Sequence, residues 1–374
     1  MITRRQSLCA VALASVLLAP TVSLAAEPLV VGMFGPMSGE KSAFGTRFRE
    51  AIEMFVEDIN GQGGIEGRPL EVIYEDSRGN PREAANIAQK FAQNDDMLAV
   101  VGGWSSSESM AAAPILTDAG LPQVSPTASH PDFTQMSEFQ FRMVNTQKSL
   151  SFVHRDLLMD KLGLKRIAIL YYQDDWGAYV NTSTAERVRE AGGEVVLQEA
   201  MIPDSKDFRA LVTKVKSAEP DGVFLASHYA ESSIFIRQMR QAGIEVAVLG
   251  ADTLQNPKFL ELAGEAAEGV VMPSYYFSED PDALDFTKAY EAHWGRLPDY
   301  YAVFGYDAIG IVSQSIGNVI RGGGELTRAA VRDQIAATKD YPGVGGANTF
   351  DEVGDVVKPM RVLQIRDGGY RLYD

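Results

Sequence analysis

Two hydroxyl-rich loops carry the residues best suited to hold a small anion. In Gly102-Gly103-Trp104-Ser105-Ser106-Ser107 the serines stand where a strand gives way to a helix. Unpaired backbone N–H groups and the positive end of the helix dipole make such a start a place for a carboxylate or a phosphate. One serine there caps the helix in any case, so capping alone and capping plus a ligand both account for the motif. Ser125-Pro126-Thr127-Ala128-Ser129-His130-Pro131 follows the next strand at the same edge of the sheet. Two such loops converging on one edge weigh toward a ligand. Asp252, in Leu249-Gly250-Ala251-Asp252, ends a further strand. A carboxylate in an apolar cleft is costly unless it meets a cation. Its plainer reading is a helix cap ahead of Pro257.

Other patterns carry less. Gly61-Gln62-Gly63-Gly64-Ile65-Glu66-Gly67 has the glycines of a dinucleotide loop, but it comes after a helix and before a strand, the reverse of what phosphate binding needs, and reads as a turn. Neither a Gly-x-Ser-x-Gly elbow nor a Walker loop occurs. His130, His154, His228 and His293 are too far apart for a local metal motif. Asp174-Asp175 reads as solvated acids on a loop before it reads as a catalytic pair. No cofactor and no metal are called for, and an enzyme of this fold class lacks a visible nucleophile–base pair.

The elements that must position these residues alternate strand with helix. An apolar strand over 29–34 precedes a helix over 44–60, in which Phe48, Ile52, Phe55, Val56 and Ile59 recur near a period of 3.6. Strands over 70–74, 98–101 and 121–124 and helices over 81–93 and 106–119 follow. After a break at 139–146 the rhythm resumes with helices over 148–161, 177–191, 207–217 and 231–242. Their intervening strands are 167–171, 195–198, 223–226 and 246–249. Runs such as Ile167-Ala168-Ile169-Leu170-Tyr171 are apolar without interruption, as strands covered on both faces are. The pattern predicts an α/β fold of two doubly wound, Rossmann-like lobes. From about Pro273 it predicts helices over 282–293 and 302–320, a third capped by Thr327, and a strand pair at 362–365 and 370–372. That tail is too short for a third domain, so it completes the first two. The expected lobes are 27–145 with 274–355 and 146–273 with 356–374, joined by a three-segment hinge near 143–146, 272–275 and 355–357. A cleft between such lobes is where a small ligand binds.

Composition bounds the partners. The 374 residues are 45% hydrophobic and 22% charged, the profile of a folded chain, with a formal net charge of −16. That charge argues against nucleic acid and anionic lipid. Residues 1–26 place Arg4 and Arg5 before an apolar run and end on Ser23-Leu24-Ala25-Ala26, which reads as a cleaved signal peptide, with a twin-arginine signal as one option. The run is too short for a spanning helix. Cleavage would remove two cations and no acid, taking the charge from −16 to −18, and would remove Cys9, the one cysteine. Disulfides and thiolate chemistry are then out of reach.

Val30-Val31-Gly32-Met33-Phe34-Gly35-Pro36-Met37-Ser38-Gly39, Asp58-Ile59-Asn60-Gly61-Gln62-Gly63-Gly64-Ile65, Ser105–Ser107, Ser125–Ser129, Arg166–Leu170, Asp207-Phe208 and Ala263–Gly269 together resemble the periplasmic branched-chain amino acid binding proteins of ABC importers, with the type I periplasmic binding fold. The resemblance runs through nearly the whole chain in order. It implies a substrate-binding protein in the periplasm, a monomer that closes on one small ligand and delivers it to a membrane permease. A ligand-sensing protein is the other non-enzymatic reading. By the same resemblance Ser106 and Ser129 hold the ligand carboxylate beside the backbone of Thr127 and Ala128, and Asp252 pairs with its ammonium. Trp176 is an aromatic wall, His228 or Tyr229 fills a tyrosine column, and Phe44, Trp104 and Tyr301 line the side-chain pocket. The Asp in place of a longer Glu, the two tryptophans and the His228 column are departures from the family. They leave a branched-chain or related amino acid and an aromatic carboxylate or amide both open as ligands.

Overall fold

The computed structural model describes residues 26–373. Nearly all of the stretch read as a signal peptide, Cys9 included, lies outside the described residues. Among those described, no helix is long and apolar enough to cross a membrane.

The first sheet is built by β1 (Leu29–Gly35), α1 (Ser42–Gly61), β2 (Leu70–Asp76), α2 (Pro81–Ala92), β3 (Met97–Val101), α3 (Ser106–Asp118), β4 (Gln123–Ser125), the short α4 (Asp132–Gln135) and β5 (Gln140–Arg142). Its five strands are parallel in the order β2-β1-β3-β4-β5. β1 is buried at every position because helices cover both of its faces. On one face Leu29, Val31 and Met33 pack with Phe44, Phe48 and Ile52 of α1, and on the other Val30 and Phe34 pack with Ile87 and Phe91 of α2. β5 falls inside the stretch expected as a break. Three residues ending in an arginine leave no periodic signal, and only pairing to β4 makes them a strand.

The second sheet takes α5 (Gln147–Arg155), β6 (Arg166–Tyr172), α6 (Asp175–Glu190), β7 (Glu194–Met201), α7 (Arg209–Ala218), β8 (Gly222–Ala226), α8 (Tyr229–Gln241), β9 (Ala247–Gly250), α9 (Pro257–Ala263) and β10 (Val271–Ser274). α5 is shorter than the expected helix. After Arg155 the chain widens into a π turn, Asp156–Lys161, whose end has the Leu162 N–H on the Leu157 carbonyl, five residues back, at 2.9 Å. β10 escapes a sequence reading because Pro273 argues against a strand.

The chain then returns to the first lobe with α10 (Leu284–Trp294), α11 (Tyr300–Arg321), α12 (Arg328–Ala336) and the hairpin β11 (Tyr341–Gly343) and β12 (Gly346–Asn348). α11 is buried on almost every side and lies against α1, and α12 packs on β3. The last strands, β13 (Arg361–Arg366) and β14 (Gly369–Leu372), finish the second sheet, ordered β14-β13-β10-β9-β8-β6-β7 and antiparallel only at β13 and β14. In chain order the first sheet thus ends at β5, and the second is interrupted after β10 and resumed at β13.

Candidate functional site

The C-terminal ends of both parallel sheets face one cleft, and the first strand-to-helix turn of each lobe delivers an aromatic ring to it. In the first lobe the pair is Phe44-Gly45, in the second Trp176-Gly177. A Cβ at Gly45 would lie 2.2 Å from the Pro36 carbonyl oxygen, and one at Gly177 2.0 Å from that of Tyr172. Only glycine lets these helices start so close to the strand end, which sets the depth at which each ring enters the cleft.

The hydroxyl loops resolve into distinct tasks. Ser105 is the cap of α3: its Oγ accepts from the Glu108 N–H at 3.2 Å, and the Glu108 carboxylate accepts from the Ser105 N–H at 3.3 Å. Ser106 is thereby left out of capping. Its Oγ accepts from the His130 N–H at 3.1 Å, while Ser129 Oγ accepts from Gln147 Nε2 at 3.0 Å. Each hydroxyl, filled from the protein side as an acceptor, keeps its own hydrogen to donate. Thr127 donates its hydroxyl to the Trp104 carbonyl at 2.5 Å, and the Ala128 N–H donates to Ser125 Oγ at 3.0 Å, so neither group is spare.

Arg142, wholly buried at the end of β5, fixes that loop. Its guanidinium donates to the carbonyls of Ala128 at 3.1 Å, His130 at 2.8 Å and Pro131 at 3.2 Å, to the Thr134 hydroxyl at 2.7 Å, and to Asp355 at 2.5 Å. Sequence reasoning did not find this residue. The available signal was an arginine beside Phe141 where the chain is otherwise apolar.

Across the cleft, Asp252 begins a short 3-10 turn after β9. It does not cap α9; that task falls to Asn256, whose side chain accepts from the Lys258 N–H at 2.9 Å. Asp252 is buried, its Oδ1 has no hydrogen-bond partner, and burial pushes its carboxyl up to about 7, against the weaker pull of its own and the Thr253 backbone N–H. The charged form is therefore expensive until a cation arrives. Asp174, the other acid at the cleft, caps α6 by accepting from the Gly177 N–H at 2.8 Å, and burial raises it to about 6. Asp175 accepts instead from the Ser107 hydroxyl at 2.9 Å, so the two acids serve separate partners.

Aromatic rings fill the rest. The His228 ring lies 5.0 Å from Trp104 and 5.0 Å from Trp176, nearly parallel to the latter. Neither of its nitrogens has a hydrogen-bond partner, and burial holds it neutral, down at about 3. Between these groups remains a cavity of about 30 Å³. Of the residues expected at the site, Trp104, Ser106, Thr127, Ser129, Trp176, His228, Asp252 and Tyr301 line it, joined by Val144, Thr253 and Tyr300, which were not foreseen. Phe44 stands one layer back, stacked on Trp104 at 4.4 Å. Ala128 is buried behind the loop, and His228 rather than Tyr229 meets the cavity. The Tyr229 hydroxyl instead donates to the Glu40 carbonyl of the opposite lobe at 3.0 Å. Among the described residues, no three His, Cys, Asp or Glu side chains gather as a metal site.

The sequence profile of a family described as periplasmic binding protein matches residues 28–370. The leucine-, isoleucine-, valine-, threonine-, and alanine-binding protein of Pseudomonas aeruginosa is 28% identical over 337 residues, covering 89% of this chain and 88% of that one. Two solved structures share the two-lobed fold. The branched-chain amino acid transporter substrate binding protein LivJ of Streptococcus pneumoniae, in complex with isoleucine, superposes with a TM-score of 0.85 at 25% identity, over 91% of this chain and 97% of that one. A solute binding protein of an ABC transporter from Rhodopseudomonas palustris BisB5, in complex with 3,4-dihydroxybenzoic acid, superposes with a TM-score of 0.81 at 26% identity, over 92% and 95%.

Proposed function

The chain belongs to the periplasmic binding protein family, and from that premise we propose that it captures an α-amino acid in the interlobe cleft, outside the cytoplasm, and hands it to the permease of an ABC importer. It is a binding protein and not an enzyme. The observation that carries the amino acid reading is the layout of charge in the cleft. Two donating hydroxyls, Ser106 at the start of α3 and Ser129 in the loop after β4, stand together, and a carboxylate with an unpartnered Oδ1, Asp252, stands opposite. A zwitterion answers both ends: its carboxylate takes the hydroxyl hydrogens and the helix dipole, and its ammonium supplies the cation Asp252 lacks. The three crossings between lobes act as the hinge, residues 1–26 direct export as a signal peptide that is then cleaved, and the exported protein works as a monomer.

A second reading is an aromatic carboxylate, favoured by the indoles of Trp104 and Trp176 and by the dihydroxybenzoate-binding relative. Isothermal titration of Asp252→Asn separates the two. The amino acid reading expects binding to be lost, because the buried ammonium loses its counter-charge. The aromatic reading expects binding to hold or tighten, because a negative charge beside an anion is gone. Retained amino acid affinity in Asp252→Asn would rule out the zwitterion arrangement.

A further inference from the structure

We propose that this cleft takes α-amino acids whose side chain carries an uncharged hydrogen-bonding group, a hydroxyl or a carboxamide, and that His228 reads that group. The inference rests on the amino acid reading above and names the side-chain class within it. His228 stands at the N-cap of α8, yet its ring does not cap the helix, and both ring nitrogens are buried without a hydrogen-bond partner. The ring is held by its own lobe, stacked on Trp176 at 5.0 Å and set edge-on to Tyr172 at 4.6 Å, so a movement of the lobes leaves it in place. Tyr172 does not serve it, because that hydroxyl is buried without a partner as well. The first lobe adds Trp104 at 5.0 Å and Phe44 at 5.7 Å, which cover the imidazole when the lobes meet. His228 lines the same cavity as Ser106, Ser129 and Asp252, which puts it beside the side chain of an amino acid held by those three.

A neutral imidazole offers one N–H to donate and one nitrogen to accept. Closing the cleft over both without partners is costly, and a phenylalanine would fill the same stack at no such cost. A hydroxyl or a carboxamide on the ligand both donates and accepts, so it answers the imidazole in either tautomer. An aliphatic side chain leaves both nitrogens empty. A carboxylate side chain would find a neutral ring and two acids, Asp174 and Asp252, on the same cavity wall. A cationic side chain would find Asp252 taken by the ligand's own ammonium and Asp174 engaged as the cap of α6, on the Gly177 N–H at 2.8 Å.

The test is calorimetric titration with two pairs of amino acids matched in shape, L-threonine with L-valine and L-asparagine with L-leucine, so that size and lobe separation cancel within each pair. It is run on the purified wild type, on His228→Phe, which keeps the ring and removes its nitrogens, and on His228→Gln, which keeps a donor and an acceptor. In the wild type the polar member of a pair that binds should be favoured by about tenfold to a hundredfold, the cost of leaving buried polar groups unpaired. His228→Phe should bring that ratio to about one or reverse it, and His228→Gln should keep it on the polar side. Wild-type valine as tight as threonine together with leucine as tight as asparagine would overturn the specificity while leaving the amino acid reading standing. A ratio unmoved in folded His228→Phe would show that water and not the ligand meets the imidazole, and would overturn it equally. If either variant fails to fold, the wild-type ratios still decide. If none of the four binds the wild type, the specificity falls, and titration with the remaining amino acids decides the underlying reading, which stands if one of them binds and fails if none does.

Discussion

In the proposed amino acid reading, Asp252 ties ligand affinity to pH and sets ligand binding against stability. Its carboxyl, at about 7 when folded, stands near 3.9 in an unfolded chain, so between those values the folded protein holds a proton that the unfolded one has released. Stability from this group therefore falls as pH rises from about 4 to about 7. By neutral pH the buried charge costs roughly 2–4 kcal/mol. The groups around it, Tyr275, Tyr300 and Tyr301, are raised phenols that stay neutral throughout this range and do not offset the cost. Ligand-free Asp252→Asn should thus melt higher than the wild type at pH 7.5 and no higher at pH 4, as thermal unfolding at the two pH values will show. An ammonium ligand needs the ionised form, so amino acid affinity should fall by up to tenfold per pH unit below about 7. Titration across pH 5–8 reads this directly. At the other end of the proposed ligand, Ser106→Ala with Ser129→Ala removes the two hydroxyls assigned to its carboxylate, at an expected cost of about 1.5–3 kcal/mol each. Full affinity in the double variant would exclude the carboxylate site.

At the scale of elements, what matters is how each helix leaves its strand. Gly45 and Gly177 hold the starts of α1 and α6 against strand-end carbonyls, and the neighbouring rings inherit their positions from that approach. Gly177→Ala sets a methyl on the Tyr172 carbonyl, backbone that cannot step aside. It should lower unfolding free energy by about 1–3 kcal/mol and displace Trp176, measured as lost stability in denaturant and altered tryptophan emission. A variant with unchanged stability and emission would show that the helix start has slack. The loop before α4 depends in the same way on Arg142. Its five bonds replace the ladder partners that an irregular segment lacks, so the serine beneath it is fixed from behind.

For the molecule as a whole, the proposed function is a balance between open and closed lobes. The visible closing contacts are few and mostly at the rim. Lys206 and Glu40 are more than half exposed, so their ion pair is worth about 0.2–1 kcal/mol and is screened by salt. Lys206→Ala should weaken ligand binding by less than about fivefold at low salt and by less still in high salt, as paired titrations will measure. A larger loss would place the main closing energy at this latch and not in the aromatic contacts behind it.

Much of this was legible along the chain, for a physical reason. Strands buried on both faces must be apolar throughout, and the helices between them must show a 3.6 period. The alternation from Leu29 to Gly250 could therefore be read locally, and with it the two-lobed class and the two hydroxyl loops, while Asp252 came with the family resemblance. What needed the tertiary structure depends on contacts between distant segments. β5 and β10 exist by pairing, not by pattern. Ser105 and Ser106 are neighbours of one type, and only the His130 N–H, 24 residues on, makes the second the one that faces the cleft. Asp252 and Asn256 competed for one cap, and backbone geometry gave it to Asn256. His228 and Tyr229 are adjacent with similar reach, and the start of α8 turns one ring between two indoles and the other toward Glu40. Residue type sets what a side chain can do, but the direction it points is fixed by a backbone path whose constraints come from the opposite lobe.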